Sequence, residues 1–222
     1  KVPLRLAHRP CRRGHYGPAR NGWADVMHGM VNRALQGFVI ATYGAETWEE
    51  VCGQAGLHHE EFEAMLDYPD TLTMACFEAT AHVLHKRPNG LLEDIGTWLV
   101  TDHHLEPLRR LMRFSGPGFL DFLYSLEELG DRGRLALPDL DLPMITLERL
   151  DPASFRVRAT WGLPGIGPIL MGCLRAMADD YGALVLVELD GVDPDGAEAV
   201  RIRLLDPAFA KGRAFDLGQV RS

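Results

Sequence analysis

The chain changes its hydrophobic period once, near Pro138, and that change limits the class of fold open to it. Before it, apolar residues recur at helical spacing. Val31, Leu35, Phe38 and Val39 mark a helix over 30–43, with Gly44 as its C-terminal cap. Thr47-Trp48-Glu49-Glu50 opens a second helix, and a third runs from Asp70 or Thr71 to about His85. Pro88-Asn89-Gly90 is a turn signal, 91–100 is helical again, 105–114 adds a further turn or two, and 119–132 forms another helix. Beyond Pro138, residues 144–149 and 155–160 alternate as strands around the loop Asp151-Pro152-Ala153-Ser154. Residues 165–181 read as an amphipathic helix with Pro168 near its first turn, and 184–189 and 200–205 are a second strand pair. Helices followed by β-β-α-β-β imply an α+β fold, with an N-terminal helical subdomain packed on a C-terminal antiparallel sheet that carries one long helix.

Composition narrows the function. The 222 residues are 46% hydrophobic, enough for a substantial core, yet no apolar run reaches the ~18–20 residues of a membrane-spanning helix. A net charge of −8 argues against nucleic acid, whose phosphates call for clustered Lys and Arg. Residues 1–26 run against that total, with six basic groups (Lys1, Arg5, Arg9, Arg12, Arg13, Arg20) and one acid, Asp25. This prefix has no apolar stretch long enough for a secretory signal. It reads as a disordered arm, a targeting segment or a stretch foreign to the native protein, and the last is favoured. Residues 27–222 read as a single domain, 27–137 helical and 138–222 built on the sheet. Cys11, Cys52, Cys76 and Cys173 show no C-x-x-C spacing, the pattern of reduced thiols in a cytoplasmic protein.

The stretch 114–138, FSGPGFLDFLYSLEELGDRGRLALP, resembles the ligand helix of the heme–nitric oxide/oxygen binding family, a gas-sensor fold. Met27-His28-Gly29, the Y-G-x-x-x-W pattern of 43–48, F-x-G at 114–116 and Leu137-Pro138-Asp139-Leu140 carry the same resemblance across about 27–205. In that family a D-E-L-like triplet runs into the histidine that binds heme iron. Here Glu127-Glu128-Leu129 runs into Gly130, which has no side chain to ligate with. The family's Y-x-S-x-R clamp on the heme propionates, aligned on Pro164-Gly165, falls on Ala159, Trp161 and Leu163, so the bidentate Arg contact is lost. Val31 and Leu35 line the heme pocket by the same resemblance. Gly130 also has a structural reading, as a helix end or kink, or as a site of close approach by another helix.

Independently of any alignment, all nine histidines lie at or before His104. His82 and His85, spaced i, i+3 with Glu78 one turn earlier, are weak metal candidates; a helix end facing solvent is the stronger reading. The doublets His58-His59 and His103-His104 diverge by about 100° on a helix and read as solvated. Cys76, Met171 and Cys173 are soft donors but read as core residues. The turn 161–168 offers backbone N–H groups to an anion, though Pro164 and Pro168 remove two of them. Residues 190–196 superficially resemble a calcium loop but lack its distal glutamate, and their Gly-Asp-Pro composition is ordinary hairpin chemistry. Glu49-Glu50, Glu60-Glu61 and Asp179-Asp180 read as solvated faces. No G-x-S-x-G or H-E-x-x-H is present, and an enzyme is not expected.

The resemblance thus implies a cytoplasmic sensory domain of bacterial type that acts on a signalling partner, a histidine kinase or a cyclic-dinucleotide enzyme. Its cofactor by resemblance is heme, but without family-type histidine ligation. The alternatives are a heme-free protein-interaction module, or heme held by a substitute ligand such as His82, His85 or Cys76.

Overall fold

A computed structural model describes residues 26–57, 61–113, 116–136 and 142–205. The basic prefix up to Asp25, His58-His59, Glu60, Phe114 and the Leu137-Pro138-Asp139-Leu140 connector lie outside the described residues.

The helical half contains α1 (Gly29–Tyr43), α2 (Ala45–Ala55), α3 (Asp70–Val83), α4 (Pro88–Thr101) and α5 (Glu106–Arg113). At the start of α1 the His28 Nδ1 accepts the Met30 N–H at 3.3 Å. At its end Gly44 adopts φ +96° and donates back to the Ile40 carbonyl, as its capping role requires. The glycine of the Met27-His28-Gly29 opening has a steric cause. Its N–H donates to the Leu66 carbonyl at 2.7 Å, and a Cβ there would collide with the carbonyls of Glu63 and Leu66. Pro88-Asn89-Gly90 is not a turn but the first turn of α4, where proline's missing N–H has no partner to lose. A two-stranded ribbon pairing β1 (Val26–His28) with β2 (Asp67–Pro69) is an addition to the expected elements.

The predicted helix 119–132 is two helices: α6 (Phe119–Ser125) and α7 (Leu129–Ala136), separated by a 3₁₀ turn at Leu126–Glu128. The Asp121 carboxylate accepts the Gly118 N–H at 3.0 Å and fixes the start of α6.

The sheet is antiparallel throughout, in the order β3-β4-β6-β5: β3 (Met144–Arg149), β4 (Ser154–Thr160), β5 (Val185–Val192) and β6 (Glu198–Leu204). β5 outruns its predicted end through a register shift between Leu189 and Val192. Alternation sends Phe155, Val157, Val200 and Ile202 inward against α8 (Ile166–Tyr181), while Arg156, Arg158 and Arg201 point outward. Each of those four buried side chains contributes about 1.5–3 kcal/mol before entropy.

Two cores result. One joins the sheet and α8 to Phe119, Phe122 and Leu123 of α6. The other lies within the helical half, around Leu35, Phe38, Trp48, Cys76 and Ile95. They meet where α4 crosses α8. No described helix is long and apolar enough to cross a membrane.

Candidate functional site

Gly130 sits one residue inside α7, and the helix continues through it to Ala136. The expected helix end at Gly130 is therefore wrong; the break in α geometry precedes it, at Leu126–Glu128. No helix presses on it either. Among the described residues, a Cβ at Gly130 would meet nothing nearer than the Pro143 carbonyl oxygen at 3.8 Å and Arg134 Nη1 at 4.0 Å. No packing contact among the described residues explains this glycine, and they leave room there for a side chain.

The residues that the resemblance sets at the propionate clamp run from the end of β4, which holds Ala159, into the segment beyond it. Ala159 is buried, paired with Ile145 on one side and Glu198 on the other. Trp161 is half-buried against the sheet core, and Leu163 is buried. None of the three carries a positive charge. Immediately beyond them the Glu198 carboxylate accepts the Gly165 N–H at 2.5 Å and the Gly167 N–H at 2.9 Å. The anion site anticipated at the turn 161–168 is thus filled by the chain's own carboxylate at the positive end of α8. Leu35 belongs to the helical core, whereas Ala159 and Trp161 belong to the sheet core; Val31 is half-buried on α1.

Beside the Glu198 cap is a mainly apolar cleft of about 320 Å³, lined by Met74, Leu92, Pro164, Leu189 and Val192. It opens between the helical half and the β5–β6 hairpin, at the lower end of the sizes that hold small ligands.

The remaining donors are poorly poised for iron. Cys76 is fully buried, and burial pushes its thiol up to about 12. The Cys173 Sγ donates to the Gly96 carbonyl at 3.2 Å, and burial pushes this thiol up to about 12 as well. Neither is a thiolate near neutrality. Met171 is buried in the sheet core. His82 and His85 are exposed with ring centroids 6.5 Å apart, because α3 ends at Val83 and His85 turns to φ +52°. They do not share one helix face as expected. His103-His104 departs from expectation in the opposite direction. The doublet lies on a 3₁₀ turn, not an α-helix, and its ring centroids are 3.8 Å apart.

Residues 190–196 lead β5 into its antiparallel neighbour β6, the hairpin that their composition suggests. Arg156 binds Asp190 and Asp193, Arg158 binds Asp193 and Asp195, and Arg201 binds Asp190. Hydrogen bonds from Arg156, then from Arg158, hold the Asp193 carboxyl at about 2. A depressed carboxyl adds stability above its unfolded value, which is lost as pH falls through the folded one. The Tm difference between the parent and Asp193→Asn is therefore expected to be constant above about pH 5 and to close between about pH 4 and pH 2. A gap unchanged down to pH 2 in thermal melts would contradict the assignment. Asp180 departs from the solvated-face reading too: its side chain is 11% exposed and binds Arg109 and Arg113.

Comparison with known proteins agrees with this architecture. The family model described as Haem-NO-binding matches residues 28–189. Soluble guanylate cyclase 89Db of Drosophila melanogaster is 24% identical over 158 residues, covering 71% of this chain and 24% of that protein. Soluble guanylate cyclase gcy-32 of Caenorhabditis elegans is 26% identical over 156 residues, covering 68% and 23%. The chain thus spans about a quarter of the length of the curated relatives it matches. Among solved structures, an H-NOX protein from S. oneidensis, a mutant in the Fe(II) ligation state, superposes with a TM-score of 0.67 at 15% identity, covering 81% of this chain and 97% of that one. A mutant H-NOX of T. tengcongensis gives 0.66 at 16% identity, covering 82% and 99%.

Proposed function

The chain belongs to the Haem-NO-binding family, and on that premise we propose that it is a sensory signalling domain which acts on a partner protein without the family's histidine-ligated heme. The observation that carries this reading is Gly130: α7 runs through it with space for a side chain among the described residues, yet no histidine follows His104 in the sequence. The residues present do not fit the cofactor. The clamp positions Ala159, Trp161 and Leu163 bring no cation to the propionates, and the Glu198 carboxylate already takes the nearby backbone donors. The substitute ligands do not repair this, since Cys76 is a buried neutral thiol and His82 and His85 are exposed. A heme-free module fits these residues better, with the apolar cleft beside Glu198 as the place where a small ligand would touch both halves.

The effector is a cytoplasmic signalling enzyme, a histidine kinase or cyclic-dinucleotide enzyme by family resemblance. The names of the curated relatives favour a second reading, a guanylate cyclase as the effector. Sensing, not catalysis, is the role of the domain in either case.

The test is the visible absorption spectrum of the chain expressed with excess heme precursor. No stoichiometric Soret band is expected, either in the parent or in Gly130→His, because restoring a ligand leaves the clamp missing. A full band in the parent overturns the reading. A band confined to Gly130→His would show that only the ligand had been lost and that a heme pocket persists.

A further inference from the structure

The turn between α4 and α5 gathers three metal-ligating side chains in consecutive positions. Asp102, His103 and His104 each offer one donor atom, and the three donors lie within 4.8 Å of one another. Local geometry brings them together. Asp102 leaves α4 in extended conformation and caps the 3₁₀ turn His103–Leu105, its Oδ1 accepting the His104 N–H at 2.8 Å. Its Oδ2 accepts the Trp98 indole N–H at 3.1 Å. Trp98 packs edge-on to Phe38 with ring centroids 6.0 Å apart, so the carboxylate is anchored through the helical core. Each oxygen retains lone-pair capacity, and both hydrogen bonds orient the group as outer-shell partners orient metal ligands. The two imidazoles are exposed and lie side by side.

We propose that Asp102, His103 and His104 form a binding site for a divalent cation of borderline softness, of the Zn²⁺ class. Two imidazoles and a carboxylate suit that class better than Ca²⁺ or Mg²⁺, which favour all-oxygen shells. Three protein ligands leave at least one coordination position for water or an exogenous ligand. Binding would tie the C-terminal end of α4 to the start of α5 through Asp102, and would be felt at Trp98. This site is separate from Gly130 and from the proposed function, and the heme experiment does not bear on it.

Zn²⁺ titrated calorimetrically into the full chain is expected to show one site per chain. His103→Ala and His104→Ala should each weaken it about 10- to 100-fold. The pair His82→Ala/His85→Ala should leave the affinity unchanged. Cu²⁺ provides a second readout: it should quench the parent's tryptophan fluorescence, and most of that quenching should vanish in Trp98→Phe. Retention of parental Zn²⁺ affinity by His103→Ala/His104→Ala overturns the site, as does loss of binding in the His82/His85 variant.

Discussion

Gly96→Ala and Gly172→Ala are each expected to destabilise the protein by about 3 kcal/mol, although alanine is the better helix former. The cause is the crossing of α4 and α8, where the two backbones touch. A Cβ on Gly96 would run into the Ile169 carbonyl oxygen and come within 3.1 Å of the Cys173 nitrogen. A Cβ on Gly172 would run into the Glu93 carbonyl oxygen and lie 2.8 Å from the Thr97 nitrogen. Backbone atoms cannot swing aside as a flexible side chain can, so the helices must separate. Separation would stretch the Cys173 Sγ bond to Gly96 and the Arg175–Glu93 ion pair, which bridge the same two helices. Gly53→Ala provides the control, since its position on α2 has nothing within 4 Å among the described residues. That change should be neutral or stabilise by up to about 1 kcal/mol. Urea unfolding followed by circular dichroism measures all three. The double variant Gly96→Ala/Gly172→Ala should cost less than the sum, because one separation relieves both clashes. Parent-like stability in either single variant would show that the crossing is looser than described.

That crossing was invisible in the sequence, and the reason is physical. Gly96 and Gly172 are separated by 76 positions, and a glycine within a helical pattern carries no mark of what lies against it. The α+β order was legible because its signal is local: period two along β4 and β6, helical period along α1 and α8. The break between α6 and α7 was not. Leu123, Leu126 and Leu129 recur every three residues, a spacing that suits a 3₁₀ turn as well as one face of an α-helix. The same limit applied at His103-His104, where the assumption of α geometry drove apart two rings that a 3₁₀ turn brings together. Gly130 could be read as a missing iron ligand from its neighbours alone. What lies against it among the described residues required the structure. Glu198 was missed because its partners, Gly165 and Gly167, lie more than 30 positions away, on the far side of the β5–β6 hairpin.

Asp180→Ala is the second substitution of large expected effect, at about 3 kcal/mol. Asp180 is the penultimate residue of α8, and its carboxylate receives Arg113 at 2.7 Å together with Arg109, both from α5. Arg113 also donates to the Asp180 carbonyl at 3.0 Å and lies 4.3 Å over the Tyr181 ring. Tyr181 in turn packs against Phe119 and Phe122 of α6. One carboxylate therefore secures the helical half to the end of the sheet-side helix. The Arg113 side chain is only 12% exposed, so removing Asp180 takes a carboxylate partner from a largely desolvated guanidinium. Arg109, at 38% exposed, can return to water and adds little. The favourable location of cations at a helix C-terminus offsets part of the loss. If the cost comes from the lost charge pair, Asp180→Ala/Arg113→Leu should be less destabilised than the two single losses added together, by about 1–2 kcal/mol. Raising salt should change the result little, since a largely buried pair is poorly screened. Strict additivity in urea unfolding would mean that the two side chains contribute independently, and that the end of α8 is held by apolar packing around Tyr181 instead.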